Sequence, residues 1–69
     1  MQTQNSPITN WRRLNKELAL LDEAKVLEML TLERAGRKRI SILERLHQRY
    51  TTLRAARERR EILREARTL

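Results

Sequence analysis

The sequence is poor in the residues that build large cores and chemical sites. It has no cysteine, no phenylalanine, one glycine and one proline in 69 residues. Without cysteine, neither a disulfide nor a thiolate metal site can form. Trp11 and Tyr50 are the two aromatic residues, so a stacking platform for single-stranded nucleic acid is not expected. A chain of this length buries only about 60% of its unfolded surface, which predicts one small core.

Long apolar segments are also missing. No window approaches the roughly 20 apolar residues of a membrane span. The N-terminal sequence MQTQNSPITN is polar and lacks the apolar centre of a signal peptide. These features predict a soluble, intracellular protein that has no membrane partner.

A catalytic set of residues is not evident either. His47 is the single histidine, and no aspartate or second histidine lies at helical spacing from it. The chain has no glycine-rich loop that could cradle a nucleotide. We therefore expect a non-enzymatic protein with no cofactor and no metal site, in which His47 is a partly buried or surface residue.

What the sequence does contain is helix-forming residues with helical periodicity. The pattern predicts an all-α fold of three helices, at about residues 10–20, 23–35 and 41–68. Residues 1–9 are predicted to form a flexible tail, and residues 10–69 a single helical domain. Short turns between helices favour antiparallel neighbours.

Local signals mark the helix ends. Thr9 or Asn10 is a candidate N-cap for the first helix, and Asp22 is one for the second. Gly36, the only glycine, fits the left-handed position that ends a helix. Ser41 and Glu44 have the spacing of a capping box at the start of the third helix.

The third helix is predicted to be longer than the rest of the chain can cover. The second helix would reach back along it only to about Leu53, so residues 55–69 would overhang the bundle. This segment keeps apolar side chains near heptad spacing, which predicts a surface for a second copy of the chain or for a host or virion protein. The residues of this predicted interaction surface are Ala55, Ala56, Ile62, Leu63, Ala66 and Leu69.

Positive charge is concentrated in the second half of the chain. Residues 1–33 hold four basic and five acidic residues, whereas residues 34–69 hold twelve basic and four acidic residues. Thirteen of the sixteen basic residues are arginine, whose fork matches phosphate geometry. Six basic residues fall near the turn before the third helix, at Arg34, Arg37, Lys38, Arg39, Arg45 and Arg49.

Cations at a helix N-terminus are unfavourable by about 0.3–1 kcal/mol, and a bound anion would reverse the effect. Our first hypothesis is therefore that these six residues contact the backbone of a nucleic acid. The alternative is a protein-interaction module that acts through the overhanging helix. A merely solvated basic loop is the third interpretation, and a base-reading helix-turn-helix fits only loosely. The residues leave DNA, RNA and protein targets open.

The segments NWRRLN and LERLHQRYTTLRAARERREIL resemble a group of short helical proteins encoded by tailed bacteriophages. The resemblance spans most of residues 10–63 and carries no activity with it. It implies a viral protein that acts in the bacterial cytoplasm or is packaged in a virion. The matching positions are Trp11, Arg12, Leu14, Asn15, Leu43, Arg45, Arg49, Tyr50, Leu53, Arg54, Arg57, Glu58 and Arg59.

Overall fold

The computed structural model describes residues 11–68, which form three helices and no strand. They are α1 (Trp11–Leu18), α2 (Glu23–Ala35) and α3 (Ile40–Arg67). The predicted all-α fold with a long C-terminal helix is therefore confirmed. The predicted tail (residues 1–9), the first N-cap and Leu69 lie outside the described residues. The 28 residues of α3 correspond to about 42 Å of helix.

The ends of α2 agree with the sequence pattern. The Asp22 carboxylate accepts the backbone N–H of Lys25 at 2.9 Å, which is the predicted N-cap bond. By contrast, α1 ends two residues earlier than predicted. The Leu20 N–H donates to the Glu17 carbonyl at 2.9 Å in a turn that closes the helix. Leu20 is 82% exposed, so burial of its side chain does not stabilise a longer α1.

The core is formed by one face of each helix, and α3 contributes to it only through its first half. Leu21, Leu43, Tyr50 and Leu53 are partly buried and pack around this centre. Side chains on α3 beyond Leu53 add nothing to the core. The buried residues are Leu14 and Leu18 of α1, Val26, Met29 and Leu30 of α2, and Ile42 and Leu46 of α3.

The turn between α2 and α3 differs from the prediction. Gly36 has φ −109° and ψ −112°, so it is not left-handed. Lys38 is the residue with positive φ, at 54°. The N–H groups of Gly36 and Lys38 both donate to the Glu33 carbonyl, at 3.3 and 3.0 Å. Both N–H groups donate to the same carbonyl. The left-handed residue of this turn is Lys38, two positions later than predicted.

The start of α3 also differs. The predicted capping box of Ser41 and Glu44 does not form; the helix begins at Ile40 behind an extended Arg39 that has no side-chain cap. Instead, the Glu33 carboxylate accepts the Arg39 N–H at 2.9 Å. One backbone N–H at this helix end is therefore satisfied by a side chain from α2, six residues earlier in the chain, and not by a local cap.

Candidate nucleic-acid interface

Three of the six predicted contact residues form an exposed cluster at one end of the bundle. We call Arg34, Arg37 and Lys38 the basic turn. All three are exposed. None makes an ion pair or a side-chain hydrogen bond with any residue between 11 and 68. Their positive charges therefore remain available to an external anion.

Arg39, a fourth predicted residue, is engaged inside the molecule. Its Nε donates to Glu33 Oε2 at 2.9 Å, and its Nη2 donates to Glu33 Oε1 at 2.9 Å. Glu33 is only 4% exposed. The hydrogen bonds from Arg39 lower the pKa of Glu33 despite the opposing effect of burial, and the same contact raises the pKa of Arg39. A bidentate, charge-assisted pair of this kind holds α2 against the start of α3.

The Glu33 carboxylate also changes the electrostatic environment expected at the N-terminus of α3. The sequence suggested a helix end surrounded by cations and in need of an anion. In the structure, Glu33 supplies that negative charge next to the first backbone N–H groups, where the helix dipole favours it. The feature of this region that would attract an external anion is therefore the exposed charge of the basic turn, and not the helix end.

Arg45 and Arg49 lie on the body of α3. Arg45 Nε donates to Asn15 Oδ1 at 2.7 Å, and its Nη1 donates to Gln48 Oε1 at 3.2 Å. The bond from Arg45 to Asn15 links α3 to α1, beside a shallow groove. Arg49 is half-buried, and its Nε is shielded from solvent without a hydrogen-bond partner among residues 11–68. The groove is lined by Trp11, Ser41, Glu44, Arg45 and Gln48.

The overhang of α3 is present, and it begins slightly later than predicted. Arg57 Nε and Nη2 donate to the two carboxylate oxygens of Glu23 at 2.9 and 3.2 Å, so α2 accompanies α3 one turn beyond Leu53. Arg57 also pairs with Glu61 at 3.2 Å. The hydrogen bonds that Arg57 donates, first to Glu23 and then to Glu61, raise the pKa of Arg57.

We call residues 58–67 the C-terminal extension, because they pack on nothing else in the described chain. Ile62 is 62% exposed and Leu63 is 41% exposed. Ala55, Ala56 and Ala66 are exposed too. The predicted interaction surface is thus uncovered, apart from Leu69, which lies outside the described residues.

Most of the arginines and glutamates that lie three or four residues apart in the second half of α3 are not paired. Arg57–Glu61 is the one such pair within 4 Å in the second half of α3, as far as residue 68. Arg54 lies over the Tyr50 ring instead, 5.6 Å from its centroid. The remaining arginines of the extension are therefore not neutralised by neighbouring glutamates.

An arginine face on α3 went unnoticed at the level of sequence. The core positions Ile42, Leu46 and Leu53 are four and seven residues apart, and continuing in steps of four and three residues leads to arginines. We define the arginine face as Arg57, Arg60, Arg64 and Arg67. Extending the apolar series past its last hydrophobic member would have revealed it.

The residues between 11 and 68 show no arrangement for metal binding or membrane insertion. His47 is exposed. No group of three or more His, Asp or Glu side chains in this range could hold a metal ion. None of the three helices combines the length and apolarity needed to cross a bilayer.

Comparison with known proteins does not place the chain in a family. No family model, curated protein or solved structure matches it.

Proposed function

We propose that this protein binds the phosphate backbone of a nucleic acid through the basic turn. The observation that carries the proposal is the pairing pattern around Glu33. This buried carboxylate is paired with Arg39, whereas Arg34, Arg37 and Lys38 next to it are exposed and have no carboxylate partner in the described chain. These three exposed cations have no ion-pair partner in the described chain, although the charge of Arg37 contributes to the lowered pKa of Glu33, and they give this end of the bundle a positive surface that suits an anion.

The proposed contact is electrostatic and independent of base sequence. Phosphate contacts release counterions, so log affinity falls linearly with log salt, with a slope of about −0.9 per contact on duplex DNA. Three contacts from the basic turn would therefore contribute about 2.7 to the slope. Affinity should depend strongly on salt and weakly on sequence.

The test is titration of fluorescent duplex DNA and RNA at about 50 and 200 mM salt. The test variant replaces Arg34, Arg37 and Lys38 by Gln and leaves Arg39 intact, because Arg39 holds the fold. The matched control replaces Arg12, Lys16 and Lys25 by Gln and changes the net charge equally. We expect the test variant to lose most of its affinity and about three units of salt slope. Equal losses in both variants, or no binding by the natural chain at low salt, would refute the proposal.

A protein-interaction function is the second candidate, and one observation favours it. Ile62 and Leu63 stay exposed on the C-terminal extension, which no other part of the described chain covers. A partner, whether a second copy or a host or virion protein, would bury them. Affinity purification with and without nuclease separates the candidates, since a partner retained after nuclease treatment points to protein contact. The phage origin that the resemblance implies is part of this second proposal.

A further inference from the structure

The face of α3 that builds the core changes its chemistry halfway along the helix. In the first half it presents Ile42, Leu46 and Leu53 to α1 and α2. In the second half the same face presents Arg57, Arg60, Arg64 and Arg67. Residues spaced by three and four positions lie on one side of a helix, so the four arginines form a continuous stripe. From Arg57 to Arg67 the stripe covers eleven residues, or ten helical steps, which is about 15 Å.

Intramolecular chemistry accounts for only part of this stripe. Arg57 is paired with Glu23 and Glu61. Arg64 and Arg67 lie in the last turn, where the helix dipole favours cations. Arg60 lies nearly two turns before the end, beyond the reach of that effect. Arg60, Arg64 and Arg67 are exposed and make no ion pair with residues 11–68.

The positive charge of the arginine face favours an anionic partner over a second copy of the chain. A second copy that packed on this face would bring arginine against arginine, which is unfavourable. A polyanion is complementary along the whole stripe. Because aromatic side chains are absent from residues 51–68, the surface offers no stacking for unpaired bases and suits a backbone that presents phosphates at fixed positions.

The helix fixes the distance between the stripe and the basic turn. Ile40, next to the basic turn, and Arg64 are 24 residues apart on one uninterrupted helix, which corresponds to about 36 Å. This distance is close to the 34–36 Å of one turn of B-form DNA. The two basic clusters lie at opposite ends of α2, since Arg57 reaches Glu23 at the start of α2 and the basic turn is at its other end.

We propose that the arginine face is a second phosphate-contacting surface, held about one helical turn from the basic turn, and that the nucleic acid is therefore a duplex. The inference rests on the proposed function and deepens it. A rigid spacing between two cationic clusters favours a stiff partner, and duplex DNA is stiff over far more than this length. On a single strand, phosphate spacing adjusts freely and the fixed distance would confer no preference.

The experiment measures the affinity of two DNA hairpin stems for the natural chain and for a variant with Arg60, Arg64 and Arg67 replaced by Gln. A stem of about 8 base pairs measures about 27 Å and cannot reach both clusters, whereas one of about 16 base pairs measures about 54 Å and can. An unpaired strand of equal length is the third probe. The Arg12, Lys16 and Lys25 to Gln variant is the charge-matched control, and circular dichroism checks that every variant remains helical.

We expect the natural chain to show a steeper salt slope on the long stem than on the short one. The Arg60, Arg64 and Arg67 variant should lose about two to three units of that slope on the long stem and little on the short one. An unchanged slope on the long stem, in a protein whose basic-turn variant still loses affinity, would overturn this inference and leave the proposed function standing. Equal affinity for the unpaired strand would overturn the duplex assignment. Absence of binding by the natural chain would remove both proposals.

Discussion

The two halves of α3 share one continuous backbone and differ in what surrounds them. From Ile40 to Leu53, one face of the helix is sealed against α1 and α2, with Leu46 fully buried. Beyond Arg57 the same face meets solvent, and its apolar residues are replaced by arginines. Burial therefore stabilises the first half, whereas helix propensity and charge placement alone maintain the second.

This difference separates the stability of the protein from its proposed binding surface. The bundle contains all the described buried side chains. The C-terminal extension holds exposed arginines that the fold does not use. Substitutions in the extension should therefore change binding with little effect on folding, and substitutions in the core should do the reverse.

The largest expected effect tests that separation directly. Leu46→Ala removes a fully buried side chain and should lower the free energy of unfolding by about 2–5 kcal/mol. The same truncation at Leu63, which is 41% exposed, should change it by less than about 0.5 kcal/mol. Urea denaturation followed by circular dichroism measures both. Comparable losses would mean that the extension packs on something in solution, most simply another copy of the chain.

An intermediate effect is expected at Glu33. Glu33→Gln removes the charge from a buried carboxylate that accepts three hydrogen bonds from Arg39, and should cost about 1–3 kcal/mol. Glu28→Gln is the matched control, because Glu28 pairs with Lys25 at the surface and its loss should cost about 0–0.5 kcal/mol. Denaturation at pH 7 measures both variants, and equal effects would contradict a structural role for Glu33.

The pH dependence of this difference follows from the lowered pKa of Glu33. The unfolded chain takes up a proton on this residue near pH 4.3, whereas the folded chain does so only at lower pH. The stabilisation is therefore complete above the unfolded pKa and is lost as pH falls through the folded one. The gap between the natural chain and Glu33→Gln should close as denaturation is repeated from pH 5 down to pH 2. A gap that persists at pH 2 would assign the effect to packing.

The smallest expected effect lies at the boundary between the two halves. Arg57→Gln removes the contact of α3 with Glu23 at the surface, so the thermal midpoint should barely move. Amide hydrogen exchange just beyond residue 57 should nevertheless become faster, since the last tie to α2 is lost. Arg60→Gln, which breaks no described contact, is the control. Identical exchange in the two variants would show that the Glu23 contact does not restrain the extension.

The features predicted correctly were those set by neighbouring residues. Asp22 and the N–H of Lys25 are three positions apart, so the cap of α2 follows from local sequence. The presence of the overhang followed from counting residues, because a helix of 13 residues cannot cover one of 28, but its start beyond Arg57 did not. The clustering of Arg34, Arg37 and Lys38 is visible in the sequence, and their contact with a nucleic acid stays a prediction.

The features that were missed depend on contacts across a turn or between helices. Glu33 accepts the Arg39 N–H at the start of α3 from another helix, and the Ser41–Glu44 box does not form. Arg45 meets Asn15, 30 residues away in sequence. No local pattern distinguishes a paired arginine from an exposed one, so the sequence assigned Arg39 and Arg45 to the same set as the basic turn. Only the packing of the helices separates them.

Lys38 has one more consequence for how this chain balances competing demands. With φ at 54°, it occupies a backbone region that glycine enters freely and that costs other residues about 1–2 kcal/mol. The one glycine of the chain lies two positions earlier, where φ is negative. The turn therefore has a cationic side chain, and not glycine, at its left-handed residue, at a cost in folding free energy. Under the proposed function this strained residue belongs to the binding surface, where backbone strain is commonly retained.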